Sequence, residues 1–367
     1  MSESSFEPDW FSRPSDTVSA LLTRHGLTPS GLADRMGCAP DAIRGLLSGT
    51  TVIDERMAAA LAGALGGSPA FWHRRQDSYE RSLSRAAEAI PAERVASWLR
   101  QIPVSDMASA GWIPEARNRG ERLRSCMAYF GVANPDEWER RYATFSGYVA
   151  FRTSPSFESK RGALSAWLRQ AEIEATMMPC APWNRASLEG RLDELRVLTK
   201  AKNPSYFLPH LREICASAGV AAVVLRAPSG CRASGAARFI ARSLAMIVLS
   251  FRYLSEDHFW FTVFHEIGHL LLHGRSNTFV DDDALSTDDR EVAANRFAAS
   301  TLVPPSRFQE MQNLRPTRDA VVRFAVSLGI SPGIVVGQMQ HDGLIGPDQL
   351  NYLKRRYTWN EISAAIA

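Results

Sequence analysis

The 367-residue chain is short of cysteine, of net charge and of long apolar runs, and each shortage narrows the choice of protein class. Its five cysteines, Cys38, Cys126, Cys180, Cys215 and Cys231, are odd in number, scattered and without CxxC spacing. That pattern speaks against a disulfide framework and fits a reducing, cytoplasmic setting, with the thiols acting as small buried apolar residues. No apolar stretch approaches the roughly 18 residues of a membrane span, and the acidic, polar N-terminus does not read as a signal peptide. Net charge is only +3, from 42 basic and 39 acidic residues, so the chain as a whole does not advertise nucleic acid. The charge is uneven, however: residues 81–202 carry 19 basic against 14 acidic side chains, while residues 1–80 carry 7 against 10. No internal repeat or low-complexity tract is present. A hydrophobic content of 45% supports real cores, and the length allows two or three domains.

What the chain does contain is Asp257 to Leu272, DHFWFTVFHEIGHLLL, followed by His273 and Gly274. Within it, His265-Glu266-Ile267-Gly268-His269 is an H-E-x-x-H. On a helix the i and i+4 imidazoles share one face and can hold one metal ion, with the glutamate placed to take a proton from water. The helix signals agree. Ser255 stands at the N-cap, Glu256 and Asp257 load the positive end, and Gly274 suits C′. Phe259, Trp260, Val263, Phe264, Ile267, Leu270 and Leu271 make this a core helix. Catalytic zinc wants a third protein ligand and an open position. Glu291, 22 residues after His269, is the candidate. Ser286 and Asp289 are spaced as a capping box, which starts a second helix with Glu291 in its first turn. One turn further on, Asn295 is placed to orient a ligand histidine.

HExxH followed by Glu291 and Asn295 resembles the gluzincin arrangement, with Asn in place of Asp. More closely, HEIGHLLLHG with EVAANRFAASTLVPP resembles the ImmA/IrrE metallo-endopeptidases, whose pattern runs HExxH, E-x-x-A-N-x-F-A and an apolar-Pro ending. Glu291, Ala294, Asn295, Phe297, Ala298, Leu302 and Pro304 carry those positions. Ala293 departs from it, since many members have a second Glu there. Upstream, SGAARFI, AMIVLS and RYLSEDHFWFTVFHE are similar to longer members that carry a HigA-like helix-turn-helix, so the resemblance runs from about residue 20 to about 355. It implies a zinc (Zn2+) endopeptidase whose substrate is a specific protein, often a repressor or antitoxin, in a stress-response, mobile-element or toxin–antitoxin circuit.

Taken in order, residues 1–17 read as a flexible tail and residues 18–80 as a helix-turn-helix domain. Ala33, Gly37 and Ile43 meet the small, turn and branched-apolar demands of that motif, with Leu46 and Leu47 completing its core face. Pro40, Asp41, Arg44 and Thr50 are the candidates to face DNA, although one Arg beside an Asp is a thin footprint. The other reading is a helical module for partner docking or homodimerisation. Residues 81–202 form a helical linker domain. Its arginines (Arg117, Arg119, Arg122, Arg124) and tryptophans (Trp98, Trp112, Trp138, Trp167) could line a nucleic-acid groove, but helical spacing favours the tryptophans as core. Residues 203–312 are the zincin-like peptidase domain, with a strand at VAAVVLRAP and a hairpin about Arg242-Ser243. AMIVLS, or else SGAARFI, is the candidate edge strand for substrate. Asp281 to Asp283 read as a solvated loop, and residues 313–367 as a helical C-terminal subdomain. The expected class is mostly α with a small β-sheet (α+β).

Chemically, His265, His269 and Glu291 are expected to hold zinc, and Glu266 to act as general base and then acid. His258, seven residues before His265, and Tyr253 (with Arg252) are the candidates to stabilise the oxyanion, and His273 sits behind the ligands. Two competing readings are a DNA-binding regulator whose peptidase-like domain senses a ligand or metal without cleaving, and an antitoxin-like binder with structural zinc. Cys231 would serve the latter as a fourth ligand.

Overall fold

The computed structural model describes residues 12–143, 160–274 and 287–366. They are mostly helical with one three-stranded sheet, an α+β protein. Two compact units emerge: residues 12–143, 160–179 and 228–231 form the first, and the remaining described residues the second. The Ser286 cap and the Asp281 to Asp283 run lie outside the described residues.

The first unit is built from α1 (Pro14–His25), α2 (Pro29–Met36), α3 (Pro40–Ser48), α4 (Glu55–Leu65), α5 (Pro69–Glu88), α6 (Ala92–Gln101), α7 (Val104–Ser109), α8 (Arg119–Phe130), α9 (Pro135–Ala143) and α10 (Arg161–Met177). In α2 and α5 a capping side chain and a proline coincide at the start of the helix. At α2, Thr28 Oγ1 accepts from the Gly31 N–H and Pro29 occupies the first turn. Gly37, at φ 61°, makes the left-handed stop between α2 and α3, where a Cβ would be strained. Leu32, Ile43 and Leu46 fill the space below that turn. Trp98, Trp112, Trp138 and Trp167 are all buried, which makes them core and removes them as stacking platforms for bases. Gly162 lets α10 approach α6 closely, since a Cβ there would stand 1.9 Å from the Gln101 carbonyl oxygen.

The second unit runs through α11 (Arg185–Glu189), α12 (Leu192–Leu198), α13 (Pro204–Ser217), β1 (Val220–Val224), β2 (Gly235–Ala241), β3 (Leu244–Leu249), α14 (Glu256–His273), α15 (Thr287–Leu302), α16 (Pro305–Gln312), α17 (Arg318–Leu328), α18 (Pro332–His341) and α19 (Trp359–Ile366). The sheet order is β1-β3-β2, with β1 parallel and β2 antiparallel to β3. β1 is buried throughout, as a run of Val and Ala without alternation requires. The expected hairpin about Arg242-Ser243 is present as β2–β3. The first-choice edge strand is corrected: AMIVLS forms β3, paired on both sides, and SGAARFI supplies β2, which with β1 is an outer strand of the sheet among the described residues. α14 packs on the sheet and against α15 and α18, inside a core that includes Phe207, Trp260, Phe264 and Val335. No single described helix is long and apolar enough to cross a membrane. The apolar pair α17 and α18 is bent by 108°, and both helices contribute to this core.

Candidate metal centre

The N-terminus of α14 is held by acids rather than by a simple cap. Ser255 occupies the N-cap position, but its hydroxyl donates to the Asp257 carboxylate instead of receiving a backbone N–H. Asp257 in turn pairs with Lys354 Nζ at 2.7 Å. Glu256, wholly buried, accepts from Ser331 Oγ at 2.9 Å and from the Arg355 backbone N–H at 3.1 Å, with Arg355 Nη1 at 3.3 Å. Gly333 and Gly337 make room for these carboxylates, because a Cβ would fall 2.0 Å from Glu256 Oε1 and 2.7 Å from Asp257. Ser331, Lys354 and Arg355 were not legible in the motif's spacing, since they lie 75 to 99 residues downstream.

Two turns further along α14, His265 and His269 face each other with Nε2 atoms 3.0 Å apart. Glu291, one turn into α15, places Oε2 3.3 Å from His265 Nε2 and Oε1 3.3 Å from His269 Nε2. Gly268 lets α15 come this near, because Phe297 lies where its Cβ would be, at 3.0 Å. Asn295 Oδ1 lies 3.1 Å from His265 Nδ1. That contact is satisfied when Nδ1 carries the hydrogen, which turns the Nε2 lone pair toward His269 and Glu291. Two imidazole nitrogens and a carboxylate thus converge, all within 4.8 Å of one another. Ligands about 2.0–2.1 Å from a tetrahedral zinc stand about 3.3 Å apart, so the donors fit that ion in both kind and spacing. Burial alone would raise the Glu291 carboxyl, but the bonds and charge of His265 and His269 outweigh it and hold the group at about 2.

Glu266 lies beside this cluster, 1% exposed, and its Oε2 has no hydrogen-bond partner among the described residues. Burial, and secondarily the charge of Glu291, push its carboxyl well above the ordinary range. Edge strand β2 closes over it: a Cβ on Gly235 would stand 2.6 Å from Glu266 Oε1 and 2.5 Å from Thr262 Cγ2. Gly235 is a site residue that motif reasoning passed over. Its one trace in the sequence was a glycine at the start of a strand.

His273 reaches back from the end of α14 to donate from Nε2 to the Arg290 carbonyl at 3.2 Å, bracing α14 on α15. Burial lowers its pKa, which favours the neutral ring. The oxyanion candidates pair with each other: the rings of Tyr253 and His258 are 4.3 Å apart, two turns before the cluster, and the Arg252 guanidinium covers the Tyr253 ring. Cys231 belongs to the first unit and is not among the converging donors. There, Pro40 and Asp41 of α3 are exposed, whereas Arg44 is paired with Asp41 and with Glu174 of α10, Nε to Oε2 3.1 Å. Thr50 donates to the Gly45 carbonyl at 3.2 Å.

Residues 220–336, from β1 into α18, match the family model Peptidase_M78, described as the IrrE N-terminal-like domain. The matched span holds the three converging donors, Glu266 and Gly235, and ends before Lys354 and Arg355. No curated protein matches the chain.

Proposed function

We propose that the second unit is a zinc-dependent endopeptidase, with His265, His269 and Glu291 as ligands and Glu266 as general base. The observation that carries it is the convergence of three donors at 3.0–3.3 Å beside a buried carboxylate that touches an edge strand. A zinc ion held there supplies Lewis acidity, polarising a peptide carbonyl and easing ionisation of water. The remaining work falls to the chain. β2, an outer strand of the sheet among the described residues, would pair with an extended substrate and align the scissile carbonyl with the cluster. Glu266 takes the proton of the attacking water and passes it to the departing amine, a role worth about 10²–10⁴-fold. His258, whose ring packs on that of Tyr253, is the candidate to donate to the developing oxyanion. Asn295 and His273 orient the ligand helices.

The family match supports a peptidase, and the resemblance to ImmA/IrrE members supports a repressor or antitoxin as the protein cleaved. The first unit would then deliver that substrate or hold the chain near its operator. A regulator that binds DNA without cleaving draws support from the α2–α3 turn at Gly37. Against it stands Arg44, whose guanidinium already meets two carboxylates. The test is to incubate the zinc-loaded protein with repressors encoded beside it, with and without Glu266→Gln. The proposal expects cleavage by the native chain and a loss of at least about 100-fold in the variant at full zinc occupancy. Undiminished cleavage by a zinc-replete Glu266→Gln protein would falsify it.

A further inference from the structure

Between Glu213 and Glu256 the chain has five arginines, Arg226, Arg232, Arg238, Arg242 and Arg252, and neither an acidic residue nor a lysine. At the average of the whole chain, these 42 residues would hold four or five acids. The molecule is close to neutral, so the positive charge is concentrated between β1 and the start of α14. Arg226 lies past the end of β1 and over the Trp359 ring, 5.7 Å from its centroid. The other four arginines belong to β2 and to the segments at its two ends, all within the second unit. Arg242 is exposed, and Arg232, Arg238 and Arg252 are half-buried.

β2 sets the spacing of these charges about the candidate metal centre. Gly235 marks the centre on the strand, because a Cβ there would stand 2.6 Å from Glu266 Oε1. Arg238 comes three residues after it and Arg232 three residues before it. Ser250 fastens the stretch between Arg232 and Gly235 to the end of β3. Its N–H donates to the Ser234 carbonyl at 2.9 Å and its hydroxyl to the Ala233 carbonyl at 2.7 Å. Arg252 Nη1 donates to the Arg232 carbonyl, which brings a second guanidinium to that end. A strand advances about 3.4 Å per residue, so charge stands about 10 Å from Gly235 at Arg238 and at most that far back at Arg232. Side chains alternate along a strand, and with Gly235 against α14, Arg238 falls on the other face. A peptide paired with β2 also presents side chains to that face, within reach of a long cross-strand neighbour.

Charge selects the occupant. Arginine stays protonated throughout the working pH range, so a basic substrate residue here meets like charge and an acidic one its complement. The strand itself selects a peptide over a nucleic acid. Its edge alternates N–H donors with carbonyl acceptors, and a phosphate backbone has no N–H to offer in return.

We infer that the substrate segment pairing with β2 is acidic. It carries Glu or Asp about three residues from the scissile bond on each side, read by Arg238 at one end and by Arg232 with Arg252 at the other. The inference rests on the peptidase reading, and its test separates the two. The zinc-loaded full chain is titrated with two series of alanine-based peptides that carry a hydroxamate to fix their register on zinc. One series has the hydroxamate at the C-terminus and the other at the N-terminus, and the third residue from it is Glu, Gln or Lys. At low salt, calorimetry should find the Glu member about fivefold tighter than the Gln member, the upper range for an ion pair near the surface. The Lys member should be weaker than the Glu member by about tenfold or more, since like charge adds to the loss. These ratios should shrink at about 1 M salt, where the Debye length is about 3 Å. Arg238→Gln should bring the members of one series within about twofold, and Arg238→Lys should keep most of the preference. Arg232→Gln with Arg252→Gln should do the same to the other series. Glu and Lys members that bind equally, or a Glu preference that survives both changes, overturns the acidic assignment. An oligonucleotide that displaces the Glu peptides, binds more tightly than any of them and loses its affinity in the same variants overturns it too. Hydroxamates that bind no better with zinc than after EDTA treatment, while the Glu preference persists, overturn the peptidase reading and leave the basic strand in place.

Discussion

Gly235 has no side chain, and that is its contribution. A methyl group there would overlap both Thr262 Cγ2 and Glu266 Oε1, so Gly235→Ala has to push either β2 or the carboxylate aside. Overpacking of this kind costs about 1–3 kcal/mol. The variant is expected to bind zinc with unchanged stoichiometry while losing most of its cleavage rate, measured by metal analysis and repressor digestion on the same sample. Glu266 itself carries a stability cost in the metal-stripped protein. Its folded pKa lies well above the ordinary 4.5, so the folded state holds the proton more tightly than the unfolded one. Stability is therefore undiminished below about pH 4.5 and falls as pH rises above it toward the folded pKa. Glu266→Gln removes that titration. In EDTA-treated protein the variant should melt above the native chain at pH 7.5, and the gap should close toward pH 4.5. A difference of about 1 kcal/mol would appear as about 2–4 °C in a unit of this size.

Helix α14 is positioned from both ends. At its C-terminus His273 ties it to α15, and at its N-terminus Glu256 and Asp257 are met by Arg355 and Lys354. Burial alone would raise the Asp257 carboxyl, but its bonds to Lys354 and Ser255 prevail and hold it below the ordinary 3.8. The stability this contributes is present above pH 3.8 and is lost as pH falls through the lower folded value. Lys354→Met leaves a buried carboxylate without its cation, and breaking such a pair costs about 3–5 kcal/mol. Denaturant unfolding at pH 7 should report that loss, and the loss should shrink as pH falls and Asp257 is protonated. A loss that is independent of pH would mean that Lys354 acts through packing rather than through charge.

At the scale of the molecule, two units each have a core of their own, and the candidate metal centre lies wholly in one of them. The ligands come from α14 and α15, so metal held there staples two helices of the second unit. Binding to the folded state alone adds about 2.7 kcal/mol when free zinc is 100 times Kd. Calorimetry should therefore show a chelator lowering one unfolding transition and leaving the other where it was. His265→Ala should abolish that difference between the zinc-loaded and chelated protein. A shift of both transitions together would show that the units unfold as one.

His265 and His269 were legible as a pair because a helix repeats every 3.6 residues, and Glu291 and Asn295 as a candidate ligand and its neighbour one turn apart on a second helix. The α+β class and the β2–β3 hairpin followed from equally local patterns of alternation, apolar runs and turn residues. Pairing across long separations left no such signature. Which strand lies at the sheet edge, which helix covers Arg44 and which basic residues meet Glu256 and Asp257 depend on how finished elements pack. Gly235 became a site residue only when the sheet closed over α14. A close approach is a property of two surfaces, and neither surface records the other in its own stretch of sequence.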